Sequence, residues 1–360
     1  MSTGPKSRSR KISLVRSPVA ELQSRFAGHT KAIVVGINAY THGIRTLKTA
    51  RPDAEAVGRV LQERHGYDDV RLLVDEQATL AGLQSLLASL PGFVEPGDRL
   101  LFYFAGHGVA DPAEDSDDRP ELYLVPSDAA REDMETFLPM SQVLDALAAR
   151  GCQHLLIVLD CCFAGAIRWS TSRSAGSPLG KRKVLYWERF QRYLQDRAYQ
   201  VITSAAQNEE ALDVLAGRVV GVRAEGDTHS PFAQALIRAL ETEVADGPAG
   251  RGDGVLSATE LYQYLFDTLR SRLDLGQTPG LWTLPQHQKG EYVFIVTDRE
   301  LRLEPAPALD TDHNPWLGLE SYGQKDQRLF FGRDAEIEAL ASRVAEQPFV
   351  VVLGASGTGK

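Results

Sequence analysis

Cysteine is scarce in this chain: three among 360 residues, at Cys152, Cys161 and Cys162, two of them adjacent. So few thiols cannot build a disulfide framework, and they suit a reducing cytosol. The sequence has no CxxC pair and its eight histidines are scattered, which argues against a structural zinc site. Long apolar runs are also missing. None approaches the ~18–20 residues that a membrane span requires, so no membrane anchoring is expected. Positive charge is in deficit, with 39 Lys and Arg against 48 Asp and Glu and a net charge of -9. That balance disfavours nucleic acid as a partner. The basic N-terminus (Lys6, Arg8, Arg10, Lys11, Arg16) is followed by no apolar h-region, so no export signal is read and residues 1–28 read as a flexible basic tail. Internal repeats are absent. What remains is globular composition, 43% hydrophobic and 24% charged, in a chain long enough for one large domain or two to three of average size.

From residue 31 onward, short β-rich runs alternate with helical patterns. Lys31–Asn38, Val70–Val74, Arg99–Phe104, Leu155–Leu159 and Gln200–Ser204 read as strands, and Tyr292–Thr297 as a closing strand. The runs are continuously apolar rather than alternating, as in strands covered on both faces. Pro52–Arg64, with Pro52 at the first helical position, Ser141–Ala149 and Pro231–Glu243 have helical spacing. Such alternation predicts an α/β fold, a doubly wound, mostly parallel six-stranded sheet flanked by helices. Residues 299–313, centred on LEPAPALDTD, read as a linker. The Ser-, Gly- and base-rich stretch Arg168–Lys183 reads as a long mobile loop within the first domain.

Ligands of open parallel sheets bind beyond the carboxyl ends of the strands. Two reactive side chains fall there. His107, in Ala105-Gly-His-Gly108, follows the Arg99–Phe104 run, and Cys162, in Asp160-Cys-Cys-Phe-Ala-Gly165, follows Leu155–Leu159. If these strands are neighbours, imidazole and thiol can meet. A thiol beside a base is a nucleophile, because the imidazole helps to form thiolate and then protonates a leaving amine.

GHG after one apolar strand and D-x-C-x-x-G after the next resemble the caspase-fold cysteine peptidases, most closely the metacaspase and bacterial caspase-like branch. The separation of 55 positions from His107 to Cys162 fits the roughly 50 of caspases. The resemblance covers about residues 29–298, including Gly36–Tyr40 (GINAY) and Arg51-Pro-Asp-Ala54. The Gln-Ala-Cys-x-Gly of animal caspases is absent, and Cys161 stands where metacaspases usually carry Ser. The register against Asp160 and Gly165 makes Cys162 the nucleophile. The resemblance implies that His107 is general base and acid and that the backbone N–H groups of Gly108 and Cys162 form the oxyanion hole. It also implies that Asp53 and Asp160 line a pocket for Arg or Lys before the scissile bond. Arg51 is out of register for the arginine with which animal caspases bind Asp. Read without the resemblance, Asp53 is an acidic residue in a helix's first turn, where the dipole favours it. In caspase-fold enzymes a linker like Arg168–Lys183 is often cut on activation, so self-cleavage is expected at Arg173 or within Lys181, Arg182 and Lys183.

No cofactor is expected for the peptidase chemistry. The acid-rich run Asp111–Glu121 offers oxygens of the kind calcium takes, as in some metacaspases, but reads better as a solvated loop. Asp253-Gly254 and Glu260 match half of an EF-hand loop whose other positions, Ala249 and Arg251, cannot ligate suitably. Ser257–Glu260 reads instead as a capping box that opens a helix.

The last residues have a separate meaning. The β run Phe349–Leu353 precedes Gly354-Ala-Ser-Gly-Thr-Gly359-Lys360, the GxxxxGK of a phosphate-cradling P-loop. With Asn314–Leu319 and Phe330–Ile337 upstream, residues 314–360 resemble the opening of a STAND-type NTPase module. The expectation is a fragment of a longer protein, with ATP and Mg bound only by the complete NTPase domain and a sensor beyond it. The combined reading is a cytosolic, signal-activated endopeptidase of defence or cell death that acts on protein or peptide substrates. The competing reading is a nucleotide-gated assembly protein whose caspase-like domain is a scaffold.

Overall fold

The computed structural model describes residues 28–111, 121–149, 151–161, 185–204, 228–242, 245–246, 252–271, 277–295, 301, 303–306, 323, 334–347 and 349–351. The chain divides into two units, residues 1–306 and 307–360.

In chain order the described elements of the first unit begin with β1 (Thr30–Gly36), α1 (Ala50–His65), β2 (Asp69–Val74), α2 (Leu80–Phe93) and β3 (Arg99–Ala105). Then come β4 (Gly108–Asp111), β5 (Glu121–Leu124), β6 (Leu138–Pro139), α3 (Met140–Ala148) and β7 (His154–Asp160). The unit continues with α4 (Trp187–Gln195), β8 (Ala198–Thr203), α5 (Pro231–Glu241), β9 (Val255–Ser257), α6 (Ala258–Arg270), β10 (Gly280–Thr283) and β11 (Val293–Ile295). The central sheet has six strands in the order β10-β8-β7-β3-β1-β2. Its five parallel strands are the five runs read from residue 31 onward, and β10 closes it antiparallel to β8.

The closing strand is therefore not the expected one. Tyr292–Thr297 contributes β11, which pairs with β9 in a separate two-stranded sheet, whereas the sixth central strand is Gly280–Thr283. Apolarity reports that a strand is buried; it does not report which sheet buries it. The structure also places Pro52 at the third position of α1, not the first. Both positions are tolerated, because the first four helical N–H groups lack intrahelical partners.

Alternate strand residues face opposite sides of the sheet. Ile33, Val35, Phe102, Phe104, Ile157 and Leu159 pack on one face with Leu83 and Leu86 of α2 and Val143 of α3. Ala32, Val34, Leu101, Tyr103, Leu156 and Val158 pack on the other with Ala54 of α1, Phe232 of α5 and Leu261 of α6. Both faces are covered, which is why the strand runs are continuously apolar. After β3, the antiparallel sheet β4-β5-β6 covers part of the first face. A smaller cluster joins Phe190 of α4 to Val255, Val293 and Ile295, and it includes buried Leu301 and Leu303. The unit thus continues through Ala306, and these two leucines belong to its core rather than to the linker read from residue 299.

In the second unit, α7 (Asp334–Glu346) presents Ile337, Leu340 and Val344 to solvent. Phe349–Val351, the described part of the expected β run, is not in a strand, and Phe349 is 79% exposed. A strand needs a neighbour to pair with, whatever its propensity.

Candidate active site

The parallel strands end in register. Gly36 of β1 lies opposite Val74 and Ala105, and Ala105 lies opposite Asp160. From β1 the chain passes to β2 on one side and to β3 on the other, so a topological switch point falls between β1 and β3. The segment after β1 and the turn after β3 meet at that point, and His107 stands there two residues beyond Ala105.

Three backbone groups set the histidine. Gly106 N donates to Asp160 O at 3.3 Å, His107 N donates to the Tyr40 hydroxyl at 2.8 Å, and Val125 N donates to His107 O at 3.1 Å. The imidazole packs against the Tyr40 ring, with 4.8 Å between centroids, and its Nε2 lies 2.7 Å from the carbonyl oxygen of Arg45. A carbonyl can only accept, so Nε2 carries the proton and Nδ1 is the basic nitrogen of the neutral ring. Position 106 needs glycine because a Cβ there would lie 2.8 Å from the Tyr40 hydroxyl. Asp75 anchors the segment that brings Tyr40 and Arg45. It accepts from Asn38 N and Ala39 N at 2.7 and 2.9 Å and pairs with Arg51 at 3.2 Å. Arg51 is thereby occupied by Asp75 and Glu55, in keeping with its being out of register for a binding pocket.

Cys162 lies outside the described residues. Its neighbour Cys161 is 1% exposed, packed in the core with Leu159 and Phe104.

Asp53 and Asp160 come together on the α1, α5 side of the sheet. Ser230 joins them: its hydroxyl donates to Asp160 at 2.7 Å, and its N–H donates to Asp53 at 3.2 Å. The same hydroxyl accepts from Ala233 N at 3.0 Å and so caps α5. His229 Nδ1 lies 2.6 Å from Asp53 Oδ1, a distance that places one proton between them. Asp53 is fully buried and Asp160 is 8% exposed. Burial, reinforced by the charge of Asp160, pushes the Asp53 carboxyl up to about 8. Beneath them the buried Tyr103 hydroxyl has no hydrogen-bond partner among the described residues, and both carboxylates raise its pKa further above what burial alone does.

Gly108 opens β4 opposite Leu124. Arg173, Lys181, Arg182, Lys183, Gly354, Gly359 and Lys360, and the interior of the Asp111–Glu121 run, lie outside the described residues. Ser257 and Glu260 form the capping box of α6. Asp253 is used within the protein, its N–H and that of Gly254 donating to Asp246 at 3.2 and 2.9 Å. Sequence reading missed Tyr40, the Arg45 carbonyl, His229 and Ser230. Ser230 before Pro231 was a legible helix start; the Arg45 carbonyl, a backbone group, left no signal.

Residues 30–168 match the metacaspase, peptidase C14 domain model, and residues 315–360 match the novel STAND NTPase 1 model. Metacaspase III c of Phaeodactylum tricornutum is 25% identical over 149 residues, covering 39% of this chain and 44% of the relative. Metacaspase-1 of Yarrowia lipolytica is 29% identical over 152 residues, covering 39% and 32%. The chain thus spans less than half the length of these curated relatives. Among solved structures, a Geobacter sulfurreducens protein matches 72% of this chain and 97% of its own with TM-score 0.47 and 18% identity. Caspase-1 of Spodoptera frugiperda matches 74% and 93% with TM-score 0.44 and 12% identity. By motif and family model, residues 30–168 are similar to metacaspase peptidase C14 domains and residues 315–360 to the novel STAND NTPase 1 family.

Proposed function

We propose that the first unit is a cysteine endopeptidase that cleaves after Arg or Lys. The observation that carries the reading is His107, held at the switch point with Nε2 on the Arg45 carbonyl. That bond makes Nδ1 the basic nitrogen, the one to take the Cys162 thiol proton. The thiolate attacks the scissile carbonyl, and the backbone N–H groups of Gly108 and Cys162 receive the oxyanion. His107 then returns the proton to the leaving amine. A water, deprotonated by the same nitrogen, hydrolyses the thioester. Burial of Cys161 in the core supports Cys162 as the nucleophile.

Specificity for a basic residue is supported by the two buried carboxylates of Asp53 and Asp160, which Ser230 joins beside the strand ends. A guanidinium would neutralise them and supply a donor for the Tyr103 hydroxyl. Fusion to a STAND-type segment supports control of this activity by nucleotide. The test is a set of fluorogenic peptides ending in Arg, Lys, Asp or Leu, applied to the wild type and to His107→Ala. Cleavage confined to Arg and Lys and lost in the variant supports the reading; cleavage after Asp, or an undiminished variant, overturns it.

A further inference from the structure

Next to the catalytic machinery lies a cavity of about 460 Å³, lined in part by His107 and Gly108. Its wall is apolar, with Ile44, Val109, Val125, Met134 and Phe137, while Arg45 and Arg131 contribute charge. Val125 and Phe137 belong to the core cluster on the α2, α3 face of the sheet, and Ile44, Val109 and Met134 pack against it. Asp53 and Asp160 lie toward the opposite face, beside Tyr103 and under α1 and α5. The acidic pair and the apolar cavity therefore lie toward opposite faces of one sheet edge, and His107 lines the cavity.

An extended peptide points successive side chains to opposite sides. If the residue before the scissile bond enters the acidic pair, both of its neighbours turn toward the other face. Chemistry separates these neighbours. The imidazole that protonates the leaving amine must stand beside the residue carrying that amine, which is the residue after the bond. Resting on the peptidase reading, we infer that this cavity receives the side chain following the scissile bond and selects an apolar one. Its apolar walls reward buried hydrocarbon. Arg45 and Arg131 oppose a second cation there, so a basic residue after the bond is disfavoured.

The test uses internally quenched peptides with Arg fixed before the bond and Leu, Gly, Glu or Lys after it. A second series varies the residue before the Arg. The expected result is a kcat/KM for Leu about tenfold above Gly, with Lys lowest, and little dependence in the second series. Arg131→Glu, at an exposed position, should lift the discrimination against Lys. Met134→Ala, which enlarges the cavity, should move the optimum from Leu toward Phe. A flat profile, a preference for Glu or Lys over Leu, or a Leu dependence appearing only before the Arg overturns the inference. If no peptide is cut, the peptidase reading fails. The cavity is still read by calorimetric titration of the Arg-Leu and Arg-Lys peptides into Cys162→Ala, where equal affinities reject it.

Discussion

Of the two adjacent cysteines, Cys161 is packed among core side chains. Cys162→Ala should therefore abolish peptide cleavage, whereas Cys161→Ala should retain most of it, since it trades a small buried side chain for a smaller one. Fluorogenic peptide assays on the two purified variants check this, and an inactive Cys161→Ala beside an active Cys162→Ala would reverse the assignment. Asp53 carries a pH dependence. Its folded carboxyl holds a proton up to about 8, while the unfolded chain releases it near the ordinary value of 3.8. The folded state thus binds more protons between those values, and its stability falls as pH rises through that window. Asp53→Asn escapes that loss, so its melting temperature relative to wild type should climb from pH 5 to pH 8.5. A guanidinium favours the ionised carboxylates, so an Arg peptide should bind Cys162→Ala more tightly as pH rises toward 8, read by calorimetry.

At the scale of elements, the helix starts hold both stability and site. Ser257→Ala removes the capping box of α6 and should cost about 1 kcal/mol in denaturant unfolding, with cleavage unchanged. Ser230→Ala removes a cap of the same kind but also the hydroxyl that Asp160 accepts. It should cost a similar ~1 kcal/mol and, unlike the first, also lower kcat/KM for Arg peptides. Equal effects of the two on cleavage would separate Ser230 from the pocket. The Arg168–Lys183 stretch adds a third expectation, self-cleavage at Arg173 or within Lys181–Lys183. Fragment masses of wild type and Cys162→Ala incubated in parallel decide it; an uncut loop in an active wild type argues against it.

Taken whole, residues 1–306 enclose their own sheet, with a core on each face. A chain ending after Ala306 should fold cooperatively and still cut Arg peptides. Leu156→Ala, at a fully buried central-strand position, should destabilise it by about 2–5 kcal/mol. Thermal unfolding and peptide cleavage of the shortened chain check both points. The second unit has the opposite character. The exposed Ile337, Leu340 and Val344 lie along one side of α7, and the described residues after it, Phe349–Val351, are not in a strand.

Five central strands, three of the helices and the positions of His107 and Asp160 at strand ends were legible from composition and period. Burial on both faces leaves a continuous apolar run, and the end of a parallel strand is where a reactive side chain becomes accessible. A sixth strand was misread, because Tyr292–Thr297 is as apolar as a central strand while pairing elsewhere. The site was legible only as a set of side chains. That Ala105 lies opposite Asp160, and that β3 and β7 are neighbours at all, is a matter of sheet order. So are the Nε2 contact to a carbonyl 62 residues away and the meeting of Asp53 with His229 across 176 residues. Local period and turn chemistry act over a few residues, so the sequence by itself determined the elements and their apolar faces. Tautomer, carboxylate pairing and the cavity beside His107 arise from contacts that form only once the sheet is ordered, and the tertiary structure alone decided them.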